Sequence, residues 1–176
     1  ITDEKQQAQY INLFKEQGLE AVFLPSTIDS HFIQFIEMQE KDVKFNRIDS
    51  EISESLKGTG EKKDEKADKK MAEKLETIFR KVLTDEKLKI KIESLKSSTV
   101  PGIILLSEQS RRMQEMSAMF GGMDMKNMFP EEQTLVLNKN NDLIKLILEM
   151  EDDKEDIRMI CEQVYDLALI SHKQLE

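Results

Sequence analysis

Apolar residues follow two different spacings in the first fifty residues, and the alternation between them predicts strands and helices in turn. Residues 19–24 (LEAVFL) are mostly apolar, as in a strand covered on both faces, and residues 43–48 (VKFNRI) alternate like an edge strand. Residues 1–2 resemble the tail of a further strand. The apolar positions at helical spacing are Ala8, Ile11 and Phe14 in a first helix and Ile28, Phe32, Phe35 and Ile36 in a second. The pattern predicts a βαβαβ unit that begins in mid-element, so we expect the chain to be a fragment of something larger.

The pattern changes near residue 49, where Glu, Lys and Asp begin to dominate and apolar residues become rare until about residue 70. Such a segment cannot bury enough apolar surface to offset its ordering entropy, which indicates a linker or hinge. It runs into a helix predicted from about Glu65 to Leu83, whose apolar face consists of Met71, Leu75, Ile78, Phe79 and Val82. A small three-stranded sheet is predicted from residues 88–95, 102–106 and 134–137.

Two further helices complete the predicted fold. Asn141 or Asp142 caps a helix that is apolar nearly all round and is therefore expected to be buried, and Asp152 or Asp153 opens the last helix. We therefore expect an α+β chain. Residues 1–50 form a βαβ-type unit, and residues 51–176 form a second domain with a charged linker (51–70), a long helix, the sheet and C-terminal helices.

The last predicted helix has an apolar surface too wide for a single packing partner. A continuous apolar stripe runs along it, and further apolar side chains, including Met159 and Tyr165, extend the surface beyond that stripe. A helix of this kind usually needs two partners, one of which can be another subunit. We predict a homodimer in which two copies of the helix pair in parallel through Ile157, Ile160, Val164, Leu167 and Ile170.

Six of the ten methionines fall between Met113 and Met128. On a helix, four apolar side chains of this segment would form one stripe, and more methionines follow Gly121-Gly122 in a stretch typical of a loop. The stripe either packs into the core or forms a contact surface, which suits methionine because its unbranched, polarizable side chain adapts to many apolar shapes. We favour a contact surface formed by Met113, Met116, Met119 and Phe120, supplemented by Met123, Met125, Met128 and Phe129.

The charge and the lack of long apolar runs exclude two classes of partner. With 26 basic against 35 acidic side chains, the net charge of −9 repels a phosphate backbone, so we expect no nucleic-acid partner. No apolar run approaches the roughly 20 residues that span a bilayer, so we expect no membrane partner. A single cysteine, Cys161, excludes an internal disulfide. We expect a cytoplasmic protein.

No set of residues in the sequence forms an enzyme site. His31 and His172 are the two histidines, and neither has a cysteine or a second histidine at ligand spacing. Gly121-Gly122 lacks the preceding strand and the lysine of a phosphate-binding loop. The acidic residues 149–156 lack the spacing of a calcium loop and fit helix capping instead. We expect no enzymatic activity, no cofactor and no metal in this chain.

Three ordered segments carry a resemblance to a known family: GLEAVFLPSTIDSHFIQFI, STVPGIILLSEQSRRMQEM and ICEQVYDLALISHKQLE. Together with the order of elements, they resemble the C-terminal part of the bacterial heat-shock protein 90 chaperones of the high-temperature protein G type. The resemblance implies that residues 1–50 end the middle segment of such a chaperone and that residues 51–176 are its dimerisation domain. It also implies that the helix from Met113 to Phe120 contacts client proteins that are unfolded or partly folded.

The same resemblance implies where other functions of the family lie. The domain that binds ATP and Mg, and the arginine that assists hydrolysis, would be upstream of this chain, which should have no ATPase activity alone. In the family a short final helix follows the residues that match Leu175-Glu176, so we expect a weaker dimer without it. The alternative from another class is an assembly or scaffold domain, in which the methionine segment serves one fixed protein partner or the core.

Overall fold

The computed structural model describes residues 1, 3–5, 7–50, 56–58, 65–85, 87–107, 133–150 and 154–172. Within them the chain has an α+β fold, as the sequence predicts. The helices are α1 (Ala8–Glu16), α2 (Thr27–Gln39), α3 (Glu65–Val82), α4 (Asp142–Glu149) and α5 (Lys154–His172). The strands are β1 (Lys89–Glu93), β2 (Gly102–Leu106) and β3 (Gln133–Asn138).

The three strands form one mixed sheet in the order β1-β3-β2. The central strand β3 runs parallel to β1 and antiparallel to β2, so that Leu135 is opposite both Ile90 and Ile104. Leu135, Val136 and Leu137 are fully buried, because the sheet is covered on both faces. The three strands predicted from apolar runs are confirmed.

The first core lies on the sheet face that α3, α4 and α5 cover. Leu75 and Phe79, one turn apart on α3, pack there with Ile144 and Ile147 of α4. The inner face of α5 contributes Cys161, Val164 and Ala168. The predicted apolar face of α3 is confirmed, since its other members pack against the same core: Met71, Ile78 and Val82.

A second core lies on the opposite face of the sheet and joins the two predicted domains. Tyr10 and Leu13 of α1 pack with Ile48 against Ile103 and Leu105 of β2. Leu56 and Val136 complete this cluster. Burial therefore continues across residue 50, the predicted boundary. The division into two domains stays a prediction.

The start of the predicted linker is partly described. A bridge joins Lys57 to Leu95, the Gly58 N–H donates to the Ser94 carbonyl (2.6 Å) and the Lys96 N–H donates to the Leu56 carbonyl (3.1 Å). At the other end, residues 65–70 belong to α3. Residues 51–55 and 59–64 lie outside the described residues, so the hinge itself stays a prediction.

The strands predicted in residues 1–50 are wrong for the part that the structure describes. Residues 19–25 and 43–47 carry no strand. The Ile1 amino group donates to the Val22 carbonyl (2.9 Å), and the Leu24 N–H donates to the Ile1 carbonyl (2.8 Å). This pattern is one step of a parallel ladder. Apolar content identifies a segment that can become a strand, but a strand also needs a neighbour along its whole length.

The burial predicted for α1 and α2 also needs correction. On α1 the buried residues are Tyr10 and Leu13, while Ala8 is exposed and Ile11 and Phe14 are half-buried. On α2 the predicted inner residues Ile28, Phe32 and Phe35 are 70%, 53% and 58% exposed, and Ile36 is half-buried. The helical period was right, but periodicity does not tell whether the chain contains a surface for the apolar face to contact. The Ser26 N–H does donate to the Asp29 carboxylate (2.8 Å) in a capping box that starts α2.

The fourth helix is capped as predicted but is only half covered. The Asn141 side chain accepts from the Leu143 N–H (3.0 Å) and so caps α4. Ile144 and Ile147 are buried, whereas Leu143 and Leu146 are exposed. The prediction that this helix is buried all round is therefore wrong, because one face of α4 contacts the core and the other lies at the surface.

A buried asparagine fixes the loop between β1 and β2. The Asn138 side-chain oxygen accepts from the N–H groups of Leu95 and Asn140, both at 3.1 Å. Its side-chain nitrogen donates to the carbonyls of Ser97 (2.7 Å) and Val100 (3.0 Å). Asn138 is fully buried. One amide thus satisfies four backbone groups and holds residues 95–100 against the end of β3.

Candidate interaction surfaces

The outer side of α5 presents the clearest candidate surface for a second copy of the chain. Met159, Leu167 and Ile170 are 54%, 56% and 52% exposed. At 100° per residue these side chains and the half-buried Ile160 occupy one side of the helix, about 100° wide. The uncharged Gln163 lies within the same stripe. We call these residues the α5 stripe: Met159, Ile160, Gln163, Leu167 and Ile170.

The inner side of α5 is fixed against β2. Val164 is 1% exposed, and a side-chain carbon at Gly102 would lie 3.3 Å from Val164 Cγ1. The absence of a side chain at Gly102 therefore lets the helix approach the strand closely. Cys161 is fully buried beside it, and burial, with a smaller effect of Glu162, raises the pKa of its thiol to about 12. A thiol in this environment is inert, which agrees with the core role predicted for it.

The five residues predicted for the dimer interface differ in exposure. Leu167 and Ile170 are exposed, while Ile157 and Ile160 are half-buried and pack partly on the core. Val164 is in the core and cannot reach a second copy without displacement of the helix, so we leave it out of the interface. Sequence periodicity placed Val164 on the same stripe as Leu167, because a helical wheel does not show which edge of a wide apolar surface contacts the core.

Charges border the α5 stripe on one flank. Arg158 and Glu162 form an ion pair on that flank, beyond Met159 (Nε to Oε1, 2.8 Å). Within α5, Asp156 lies on the stripe's side in the first turn, where a carboxylate is favourable to the helix dipole, and the exposed Asp166 lies about 20° beyond Met159 at the edge of the stripe. With Asp156 at one end of the stripe and Asp166 at its edge both left in solvent, the apolar side chains can be desolvated without burying a charge, which is the condition for packing against another apolar surface.

The eight residues predicted to contact clients lie outside the described residues, within 108–132. The structure does describe both ends of the connection that contains them. Leu106, at the end of β2, is the register partner of Gln133, at the start of β3. The connection therefore leaves and re-enters the sheet on two adjacent antiparallel strands, and its two ends are held side by side.

The described residues include no candidate metal site and no candidate membrane span. Within the part of the chain that the structure describes, no group of three His, Cys, Asp or Glu side chains could hold a metal ion. Within the same residues, no helix is long and apolar enough to cross a membrane.

The α2 surface of Ile28, Phe32 and Phe35 is a second exposed apolar face that the sequence did not predict to be exposed.

Comparison with known proteins gives a consistent result. The family described as "Hsp90 protein" matches residues 2–174. The chain is similar to the chaperone protein HtpG of Bacteroides thetaiotaomicron, 27% identical over 153 residues that make up 85% of this chain and 22% of that protein. It is also similar to the chaperone protein HtpG of Bacteroides fragilis strain 638R, 28% identical over 156 residues, 87% of this chain and 23% of that protein. The chain thus spans less than a quarter of the length of these relatives.

Proposed function

The chain belongs to the Hsp90 protein family, and from this premise we propose that it is the dimerisation and client-binding part of a molecular chaperone. Two relatives are named as chaperone proteins. Residues 51–176 would be the dimerisation domain, and residues 1–50 would be the end of the segment before it. The observation that carries the proposal is the α5 stripe, an apolar surface on a helix whose opposite face is already buried.

We propose that two copies of the chain pair in parallel through the α5 stripe, together with the half-buried Ile157. The core fixes α5 in place, so the stripe is presented without an ordering cost for the helix backbone. Fully burying an aliphatic side chain contributes roughly 1.5 to 3 kcal/mol, and association costs at least about 4 kcal/mol. Three apolar side chains from each copy that are about half exposed, Met159, Leu167 and Ile170, exceed that lower bound by a modest margin, which supports a weak dimer.

The test of this interface is a change of charge within the stripe. Leu167→Asp should abolish the dimer in sedimentation equilibrium, because pairing would bury an unpaired carboxylate in each copy. Leu146→Asp is the matched control, since Leu146 is a similarly exposed leucine (44%) on α4. The interface assignment fails if Leu167→Asp keeps the mass of the unsubstituted chain while the domain stays folded.

For client binding we propose the methionine segment, residues 113–129. Its flexible, polarizable side chains suit many different apolar partners, and the connection that contains it starts and ends on adjacent strands, at Leu106 and Gln133. This arrangement would fix both ends of the connection in the sheet. The partners would be unfolded or partly folded proteins that expose apolar side chains.

The rival proposal is a scaffold domain with one fixed protein partner. The two proposals differ in selectivity: a client-binding segment should bind several unrelated unfolded proteins with similar affinity, whereas a scaffold should bind none of them. A panel of three permanently unfolded, fluorescently labelled proteins separates the two. If the unfolded proteins bind but substitutions in residues 113–129 do not change their affinity, the assignment of client binding to this segment is contradicted.

We further propose that this chain does not hydrolyse ATP by itself. The sequence contains no phosphate-binding loop, and the family resemblance assigns ATP and Mg to a domain upstream. Titration calorimetry with ATP and Mg²⁺ should give no saturable heat. A stoichiometric heat with this chain alone would contradict the proposal that ATP binds to a different domain.

A further inference from the structure

Strand β2 pairs with β3 along one edge, and its other edge is contacted by two groups from the first fifty residues. The Tyr10 hydroxyl donates to the Ile104 carbonyl, and the Leu106 N–H donates to the Asp49 carbonyl (3.2 Å). Residues two apart in a strand direct their backbone groups to the same edge. Both contacts therefore lie on the outer edge of β2, at its last two outward positions.

The groups that make these contacts are themselves fixed by a buried polar network. The Asp49 carboxylate, 4% exposed, accepts from Arg47 Nε (2.7 Å) and Arg47 Nη2 (2.6 Å), and from Gln7 Nε2 (3.0 Å). Gln7 is 1% exposed and immediately precedes α1. We call Gln7, Tyr10, Arg47 and Asp49 the α1 joint. It ties the start of α1 and residues 47–49 to one strand edge.

The electrostatics favour a permanent contact. Burial by itself would raise the pKa of Asp49, but the hydrogen bonds and charge of Arg47 and the Gln7 amide outweigh it and hold this pKa below its ordinary value. The carboxylate is therefore ionised and paired at neutral pH. Removing one partner from a buried pair leaves an uncompensated charge, so partial opening of the joint is unfavourable.

An apolar layer lies beside the polar network and resists sliding. Leu13 and Ile48 pack on Ile103 and Leu105, the two β2 residues that alternate with the anchored positions. Polar contacts thus hold the edge of β2 while apolar contacts hold its face. Two independent sets of contacts fix the same five-residue strand relative to α1.

We propose that the α1 joint makes α1 and the sheet one rigid body and sets the position of the β2 end from which the chain enters residues 108–132. Motion at the hinge predicted in residues 51–70 would then leave α1 fixed relative to β2. A displacement imposed on α1 would pass directly to Leu106 and Ser107. The consequence for client binding rests on the function proposed above, whereas the joint itself does not.

The experiment measures rigidity directly and uses no client. Spin labels attached to Asn12→Cys on α1 and Lys91→Cys on β1, both exposed positions, report the distance between α1 and the sheet. Cys161 is fully buried and stays unlabelled, which the chain without added cysteines verifies. Excess unlabelled chain removes distances between copies. Amide hydrogen exchange by NMR compares Leu106 with Leu137 of the central strand.

Two variants loosen the joint in different ways. Asp49→Asn keeps the shape but removes the charge that pairs with Arg47, and Tyr10→Phe keeps the ring but removes the hydroxyl. In each, the distance distribution should broaden at least about twofold, and the Leu106 amide should exchange at least about tenfold faster while Leu137 is unchanged. Asp142→Asn is the matched control, since it removes an exposed ion pair with Lys145 (2.9 Å) and should change neither readout.

Two outcomes would overturn the proposal. Unchanged distances and exchange in both variants would mean that the apolar layer alone sets the position of α1. Equal acceleration at Leu106 and Leu137 would mean general loosening of the sheet. If Asp49→Asn does not fold, Tyr10→Phe decides alone. None of these outcomes depends on dimerisation or client binding, so failure of the joint and failure of the proposed function are distinguishable.

Discussion

Val164 and Leu167 are three residues apart on α5 and should respond in opposite ways to truncation. Val164 lies in the core, 1% exposed, whereas Leu167 is 56% exposed in the α5 stripe. Val164→Ala removes two buried carbon atoms and leaves a cavity at a close contact with Gly102, which we expect to cost about 2 to 3 kcal/mol of unfolding free energy. It should leave the dimer dissociation constant nearly unchanged. Leu167→Ala should lower the protomer's stability by at most about 0.5 kcal/mol.

The effect of Leu167→Ala on the dimer follows from its exposed half. Fully burying a leucine contributes roughly 1.5 to 3 kcal/mol, and pairing buries only the exposed half of Leu167 in each copy. The two copies together therefore gain about 2 to 3 kcal/mol per dimer at the upper end of this range. The dissociation constant should therefore rise by about 30- to 150-fold. Sedimentation equilibrium at several concentrations measures it, and denaturant unfolding well below the dissociation constant isolates protomer stability. The reasoning is refuted if Leu167→Ala destabilises the protomer by more than about 2 kcal/mol while Val164→Ala weakens the dimer.

Three further predictions concern the packing and charge of the protomer. Gly102→Ala should cost about 1 to 3 kcal/mol of stability, because the new Cβ lies 3.3 Å from Val164 Cγ1 and 3.4 Å from the Val136 carbonyl oxygen. Asn138→Ala should cost at least about 2 kcal/mol, since it leaves several buried backbone groups without partners. The stability contribution of Asp49, whose pKa is lowered by folding, should be full above about pH 5 and should be lost as the pH falls through its lowered pKa.

Denaturant titration supplies the readout for each of these, and a matched variant controls it. The loss from Gly102→Ala should at least halve in a Val164→Ala background; an undiminished loss would place the strain elsewhere. Asn140→Ala, which removes one side-chain bond to the Leu95 carbonyl (2.7 Å), should cost less than half as much as Asn138→Ala. Equal costs would contradict the central role of Asn138.

For Asp49 the comparison is between the chain and Asp49→Asn as a function of pH. The difference in their unfolding free energies should shrink as the pH falls from about 5 towards 2, because the protonated carboxyl no longer pairs with Arg47. The other groups that face Asp49 are the Tyr10 phenol, whose pKa is raised by burial, and the Ile1 amino group, whose pKa is lowered by burial. A difference that stays constant down to about pH 2 would contradict the role assigned to the ion pair.

Much of the second half of the fold could be predicted because its signals are local. The apolar face of α3, the three short apolar runs of the sheet and the Asn141 cap each occupy a few consecutive turns or residues. Periodicity and capping chemistry act over that range, so the sequence displays them directly. The same reasoning identified α5 as a helix with more apolar surface than one partner can cover.

The errors arose where the outcome depends on a distant partner. Residues 19–24 have the composition of a strand, yet within the described residues their ladder-type backbone hydrogen bonds are those with Ile1. The α2 residues Ile28 and Phe32 have helical spacing but are exposed, with no core to contact among the residues that the structure describes. The α1 joint was missed for the reverse reason, since Gln7 and Asp49 have the sequence character of surface residues and become buried only through each other.

The central claim is that this chain binds unfolded proteins through residues 113–129, and one titration tests it most directly. The chain and its Met116→Ala/Phe120→Ala variant are titrated against a permanently unfolded, fluorescently labelled protein, and the unfolding free energy of both is measured in parallel. The account predicts that the variant binds at least about tenfold more weakly while its stability changes by less than about 1 kcal/mol. Phe79→Ala, a fully buried core residue of α3, should show a stability loss of about 3 to 5 kcal/mol in the same assay. Unchanged binding by the double variant, together with a stability loss of the size seen for Phe79→Ala, would contradict the account and place the methionine segment in the core.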